Sequence, residues 1–343
     1  MRTPDEWIGL LASPETREKA EQALVDALTT EDQALRMTAA HHLLEALPDA
    51  SDDTRGFLLY LLQAGWSPKS QRDAVNAVET LLGALQRAPE GAIEEADHAA
   101  LILGRAARYE ATQREVLLAA LDRPESLVRR AAAGALGRAG ELSATAAQRL
   151  AHCLTDDEPV VAEAALQSIG AVTPELVGVV LPSLANYASI CHGVEQYGAL
   201  AALHGLLESN PAAGAALPVE ELLPSLERAV SDSDPALRLE AASLMGWLGK
   251  PQATKSLTAR LADDDPDVRA AVAVALLRLG NVDAAAPALG QLLRDADPAK
   301  HGAALAELER LDEGTLRRVK PVLETAAKQA PEEVRAALRE VLG

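Results

Sequence analysis

Along this chain apolar residues recur four, four and then three positions apart inside short Ala-rich stretches, each preceded by an acidic loop. Take as position zero the Val or Leu that opens each stretch, most often just before an Arg. The anchors are then Leu35, Val128, Val161, Leu237, Val268 and Val334. Four residues on stand Ala39, Ala132, Ala165, Ala241, Val272 and Leu338, and eight on stand Leu43, Leu136, Ile169, Met245, Leu276 and Leu342. Steps of this size stay on one stripe of a 3.6-residue helix, so each stretch is predicted to be a helix with a single buried seam. Gly140, Gly249 and Gly280 follow the last turn, where a left-handed residue ends a helix. A shorter apolar run precedes each anchor, at 114–121, 148–154 and 255–261. The predicted unit is an antiparallel helix pair.

The unit repeats. The stretches at 122–140, 231–249 and 262–280 share one register, and the copy at 295–311 places Lys300 and His301 where others carry Val and Arg. A helical period of about 31–38 residues means units that bury their apolar faces only by stacking. The chain is thus predicted to be all-α, a right-handed α-solenoid of about nine or ten antiparallel helix pairs forming one continuous body over 1–343. Within it fall irregular N-terminal repeats (1–115), regular repeats (116–175), a degenerate central repeat (176–220), regular repeats (221–312) and C-terminal capping helices (313–343).

The run DDDPDVRAAVAVALLRLG (263–280) resembles HEAT repeats, especially the short bacterial kind also found in phycobilin lyase subunits. That resemblance implies that the Arg after the anchor and the Asp residues of the loop link neighbouring repeats. Carried over, this structural ladder is Arg129, Arg238 and Arg269 with Asp232, Asp234, Asp263 and Asp265. The resemblance spans scaffolds, adaptors, lyase subunits, a di-iron hydroxylase and DNA glycosylases, so it implies architecture more than activity.

Composition narrows the choice. Hydrophobic residues make up 48% but aromatics only 2%, so the core is built from Ala and Leu. The net charge of −19, from 51 acidic against 32 basic residues, repels phosphate backbones and anionic membranes, and neither nucleic acid nor a membrane is expected as partner. The basic residues of the last segment (Arg317, Arg318, Lys320, Lys328, Arg335, Arg339) read as the polar outer face of a cap. Asp5 and Glu6 interrupt the apolar core a signal peptide would need, and a cytoplasmic location is expected.

No catalytic residue, metal or cofactor is predicted. His152-Cys153 and Cys191-His192 are adjacent pairs rather than the spaced pairs of zinc sites, and the two cysteines read as buried thiols. None of the seven histidines is followed by Glu, the pairing the di-iron hydroxylase uses, and no phosphate-cradling or nucleophile-elbow motif occurs.

Binding residues are sought on the ridge two, six and ten residues past each anchor. It carries Arg130 and Arg138, Leu239 and Trp247, Val274 and Arg278, with Trp and Arg the usual composition of an interface anchor. Tyr187, His192 and Tyr197 of the degenerate copy form a second candidate surface, whereas Phe57, Tyr60 and Trp66 are expected to fill the N-terminal core. The function expected is a non-enzymatic scaffold or adaptor holding a basic or flexible protein segment on its concave face. The alternatives are a subunit of a phycobilin-lyase-like enzyme and, more weakly, nucleic-acid binding.

Overall fold

The computed structural model describes residues 3–11 and 13–343. Among these the chain forms twenty α-helices and no strand. They are α1 (Pro4–Leu10), α2 (Pro14–Thr29), α3 (Gln33–Ala46), α4 (Asp52–Gly65), α5 (Gln71–Gln86), α6 (Ile93–Tyr109), α7 (Thr112–Ala120), α8 (Ser126–Arg138), α9 (Ala144–Cys153) and α10 (Pro159–Ile169). There follow α11 (Val177–Ile190), α12 (Gly193–Ser209), α13 (Val219–Ala229), α14 (Pro235–Leu248), α15 (Thr254–Thr258), α16 (Pro266–Arg278), α17 (Val282–Arg294), α18 (Pro298–Glu309), α19 (Glu313–Ala326) and α20 (Glu332–Leu342).

The chain divides into two compact units, residues 1–180 and 181–343, with the division inside α11. Within each unit the helices form two layers. In the first, α4, α6, α8 and α10 pack side by side, and in the second α12, α14, α16, α18 and α20 do the same, each backed by odd-numbered helices. This is the stacking of helix pairs that the repeat predicts.

Loop chemistry starts and stops these helices. Asp234, Asp265 and Asp297 cap α14, α16 and α18 by accepting the backbone N–H of Ala236 (2.9 Å), of Asp267 and Val268 (2.9 and 3.1 Å), and of Ala299 (3.0 Å). Each is followed by a proline at the first helical position, where the missing N–H leaves no bond unmade. Gly140, Gly249 and Gly280 adopt φ of +111°, +63° and +80°, the left-handed region in which a Cβ is strained.

The seam residues Val128, Val161, Leu237, Val268 and Val334 are buried, together with those four and eight positions on. Leu35 is the exception among the anchors, 48% exposed, although Ala39 and Leu43, four and eight positions on, are fully buried. Helix α3 lies among α1, α2 and α4 in the layer of first helices and buries Ala39 and Leu43 together with Ala40 and Leu44, while its first turn projects beyond the core.

A second departure concerns the ridge. Val274, expected to face solvent, is 3% exposed, and Ala270 beside it is buried too. Helix α16 is packed on several sides, by α14, α17 and α18, and its approach to α14 is close enough that a Cβ on Gly246 would sit 2.8 Å from the Ala275 Cα. The N-terminal aromatics also divide. Trp66 is in the core and Phe57 half-buried, but Tyr60 is 54% exposed, its ring edge-on to His98 at 5.7 Å between centroids.

Candidate partner-binding site

The regular arginines make the same contacts in both units. Arg129 donates from Nε and Nη2 to both carboxylate oxygens of Asp156, 2.8 Å each, and from Nη1 to the carbonyls of Arg123 and Pro124. Arg238 repeats this with Asp263 (2.9 and 2.7 Å) and with the carbonyls of Asp232 and Ser233. Each guanidinium thus ties its own loop to the loop of the following repeat. The guanidinium beside Asp263 holds that carboxyl below the usual range against the opposing push of burial, and Asp156 is lowered in the same way. Arg269 donates to the backbone carbonyls of Asp263 and Asp264, while Asp295 of the next loop pairs with Lys300 at 3.0 Å. Asp232 accepts from the backbone of Asp234.

The ridge expectation also placed Arg130 at the surface, and the structure corrects it. Arg130 is 5% exposed and clamped between Asp97 of α6 and Glu163 of α10, each at 2.8 Å, so it fastens three successive helices and offers no free charge. Arg138 is exposed and bends back to the Gly134 carbonyl at 2.7 Å. In the degenerate copy Tyr187 is buried, whereas His192 and Tyr197 are exposed at the start of α12.

Trp247 and Arg278 are brought together. The Arg278 guanidinium lies 4.5 Å from the centre of the indole, and its Nη2 donates to the Arg310 carbonyl at 2.7 Å. Burial pulls the Arg278 pKa below its ordinary value against the acidic side chains nearby. These residues line an open groove of about 600 Å³ with Glu208, Pro211, Gly249, Glu309, Leu311 and Asp312. The indole Nε1 of Trp247 is buried without a hydrogen-bond partner, and Leu239 lies half-buried on the same helix.

Beneath the groove runs a polar network that sequence reasoning missed. His204 Nδ1 meets Glu240 at 2.9 Å and its Nε2 approaches Glu208 at 3.5 Å, while Arg310 pairs with Glu307 at 2.7 Å and reaches Glu208 at 3.8 Å. Burial raises the Glu307 carboxyl above its usual range, opposed by Arg310, His204 and Arg278. Four successive even-numbered helices contribute, so no segment of sequence displays the cluster. Among the described residues no group of three or more His, Cys, Asp or Glu is placed to hold a metal, and no helix is long and apolar enough to cross a membrane. Cys153 and Cys191 are free and buried, their thiols pushed up to about 11 and about 12 by desolvation.

Stacked antiparallel helix pairs with loop-to-loop arginine ladders define an all-α solenoid. The chain belongs to the HEAT-repeat family: the family model for HEAT repeats matches residues 78–170, 195–278 and 255–343, well over half of its length. No curated protein matches it. Among solved structures it resembles an engineered protein (18% identity over 90% of this chain and 99% of that one, TM-score 0.54). It also resembles a chain in a homology model of the full-length AP-3 complex in an intermediate open conformation (17% identity, TM-score 0.60), covering 96% of this chain and 64% of that one. At such identities the likeness is one of fold.

Proposed function

We propose that the protein is a non-enzymatic scaffold that holds a flexible, basic segment of a partner protein in the groove around Trp247 and Arg278. The observation carrying this reading is the pairing of a half-buried Trp, its N–H unused, with a stacked Arg at the edge of an open groove. Glu309 and Asp312 on the rim, on a chain of net charge −19, favour a cationic segment and speed its encounter. HEAT repeats supply the kind of surface on which protein segments are held, which accords with this reading.

The test is affinity capture with the intact protein and with Trp247→Ala, followed by titration of the captured partner's basic segment against both. Loss of a hot-spot aromatic is expected to weaken binding by about thirtyfold, roughly 2 kcal/mol. Equal binding by the variant at unchanged helical content would remove the groove from the function.

A further inference from the structure

Unit 1 carries a second concave site, remote in sequence from the Trp247 groove and built from different residues. An open cleft of about 750 Å³ lies between α4 and α6, with Phe57 and Tyr60 on one side and Glu94, Glu95 and His98 on the other. The sequence pattern predicts Phe57 and Tyr60 to be core residues. Tyr60 is instead largely exposed, held edge-on to the His98 ring, whose Nδ1 is buried and lacks a hydrogen-bond partner.

The two glutamates differ. Glu95 is already paired, its Oε2 2.6 Å from Nε of the buried Arg55, which also reaches Asp52 at 2.9 Å. Glu94 is exposed and forms no ion pair among the described residues. An aromatic face and an uncompensated carboxylate therefore border one cleft that contains no free cation of its own. Next to it the same layer of helices presents Asp97 and Glu163, about half exposed and shared by a single arginine.

We propose that this cleft is a recognition site for the guanidinium of an arginine on an extended segment of a partner protein. A guanidinium is planar and weakly hydrated, so it can lie on the Tyr60 ring while its forked N–H groups meet the Glu94 carboxylate, a combination a lysine ammonium does not match. The protein uses both halves of this chemistry internally, stacking Arg278 on Trp247 and pairing Arg55 with Glu95. The site stands on its own evidence, whether or not the Trp247 groove binds a partner.

The test is titration of the full chain with a short, terminally blocked peptide whose sole charged group is one central arginine, beside versions with citrulline or lysine in its place. Binding is followed by NMR at the His98 and Tyr60 ring resonances. The arginine peptide should shift both rings, citrulline should bind several-fold more weakly, and lysine should fall between. Tyr60→Ala and Glu94→Gln should each weaken the arginine peptide by roughly threefold to fivefold, the size of an exposed cation–aromatic or ion-pair contact. Tyr109→Ala, at another exposed tyrosine, should leave it unchanged. Unmoved ring resonances, equal binding of the citrulline peptide, or full affinity in Tyr60→Ala would each overturn the assignment. Equal affinity for lysine would replace guanidinium recognition by simple charge attraction.

Discussion

Replacing Asp263 by alanine should test whether the arginine ladder holds successive repeats together. The carboxylate is almost fully buried, accepts both prongs of Arg238 and also accepts the Asp265 N–H at 3.1 Å. Removing one partner of a buried pair strands the other, at about 3–5 kcal/mol when nothing else solvates it. Arg238 would keep its two carbonyl contacts and a little solvent access, which places the expected loss nearer 2–3 kcal/mol. For a cooperative body the size of unit 2 that is a fall in Tm of about 4–12 °C, read by circular dichroism at 222 nm. Hydrogen exchange over residues 232–270 should show that the loss is local. In a double-mutant cycle with Arg238→Ala, the double variant should be scarcely worse than either single one, a coupling of about 1.5–3 kcal/mol. The pH dependence has a defined sign. The folded-state pKa of Asp263 is lowered, so its contribution is present above the unfolded value of about 3.9 and is lost as pH falls through the folded value. The gap between wild type and Asp263→Ala should thus stay constant from pH 7 to about 4 and then close. A coupling under about 0.5 kcal/mol, or a gap that persists into strong acid, would refute the reasoning.

Gly246→Ala should destabilise by roughly 1–3 kcal/mol because the new methyl meets the Ala275 backbone, whereas Gly205→Ala, in open space within α12, should stabilise by about 0.5–1 kcal/mol; urea unfolding of both separates packing from helix propensity. Glu307 has the opposite linkage sign to Asp263. Its folded pKa is raised, so its relative stabilisation belongs to low pH and is lost as pH rises through that value, and Glu307→Gln should raise the thermal midpoint at pH 8 more than at pH 5. Cys153 and Cys191, with thiols raised to about 11 and about 12, should resist iodoacetamide at pH 8 in the folded protein and react promptly in guanidinium, as mass spectrometry would show.

The periodic part of the fold was legible because burial repeats with the helix. Val128, Leu237 and Val268 announce the seam, and Gly249 and Gly280 mark the helix ends. The failures arise where a neighbour decides. Val274 is apolar at a position that would face outward on an isolated helix, yet it is buried because α14, α17 and α18 all pack against α16. Leu35 fits the spacing but sits in the other layer, a distinction that a single stripe cannot express. Arg130 occupies a ridge position yet is buried, and the sequence carries a signal for it: Asp97 and Glu163 stand one repeat before and one repeat after it, a symmetry that marks a clamp. Of the groove, Trp247 and Arg278 could be found by their ridge positions, but Glu307 and the His204–Glu240 pair could not, since each is an ordinary polar residue until four helices converge.

The contacts of Arg129 and Arg238 bear on how such a chain can be cut and rejoined. Each arginine leaves one helix pair to grip an aspartate in the loop of the next, Asp156 or Asp263. A cassette excised from loop to loop, as the helix pairs invite, would carry an arginine without its carboxylate at one seam and a carboxylate without its arginine at the other. The exchangeable module is offset by half a repeat, running from one second helix through the next first helix and the acidic loop that follows it, so that donor and acceptor travel together. Duplications or grafts framed that way keep every rung intact, while those framed on the visible hairpins must rebuild two buried charges at each junction.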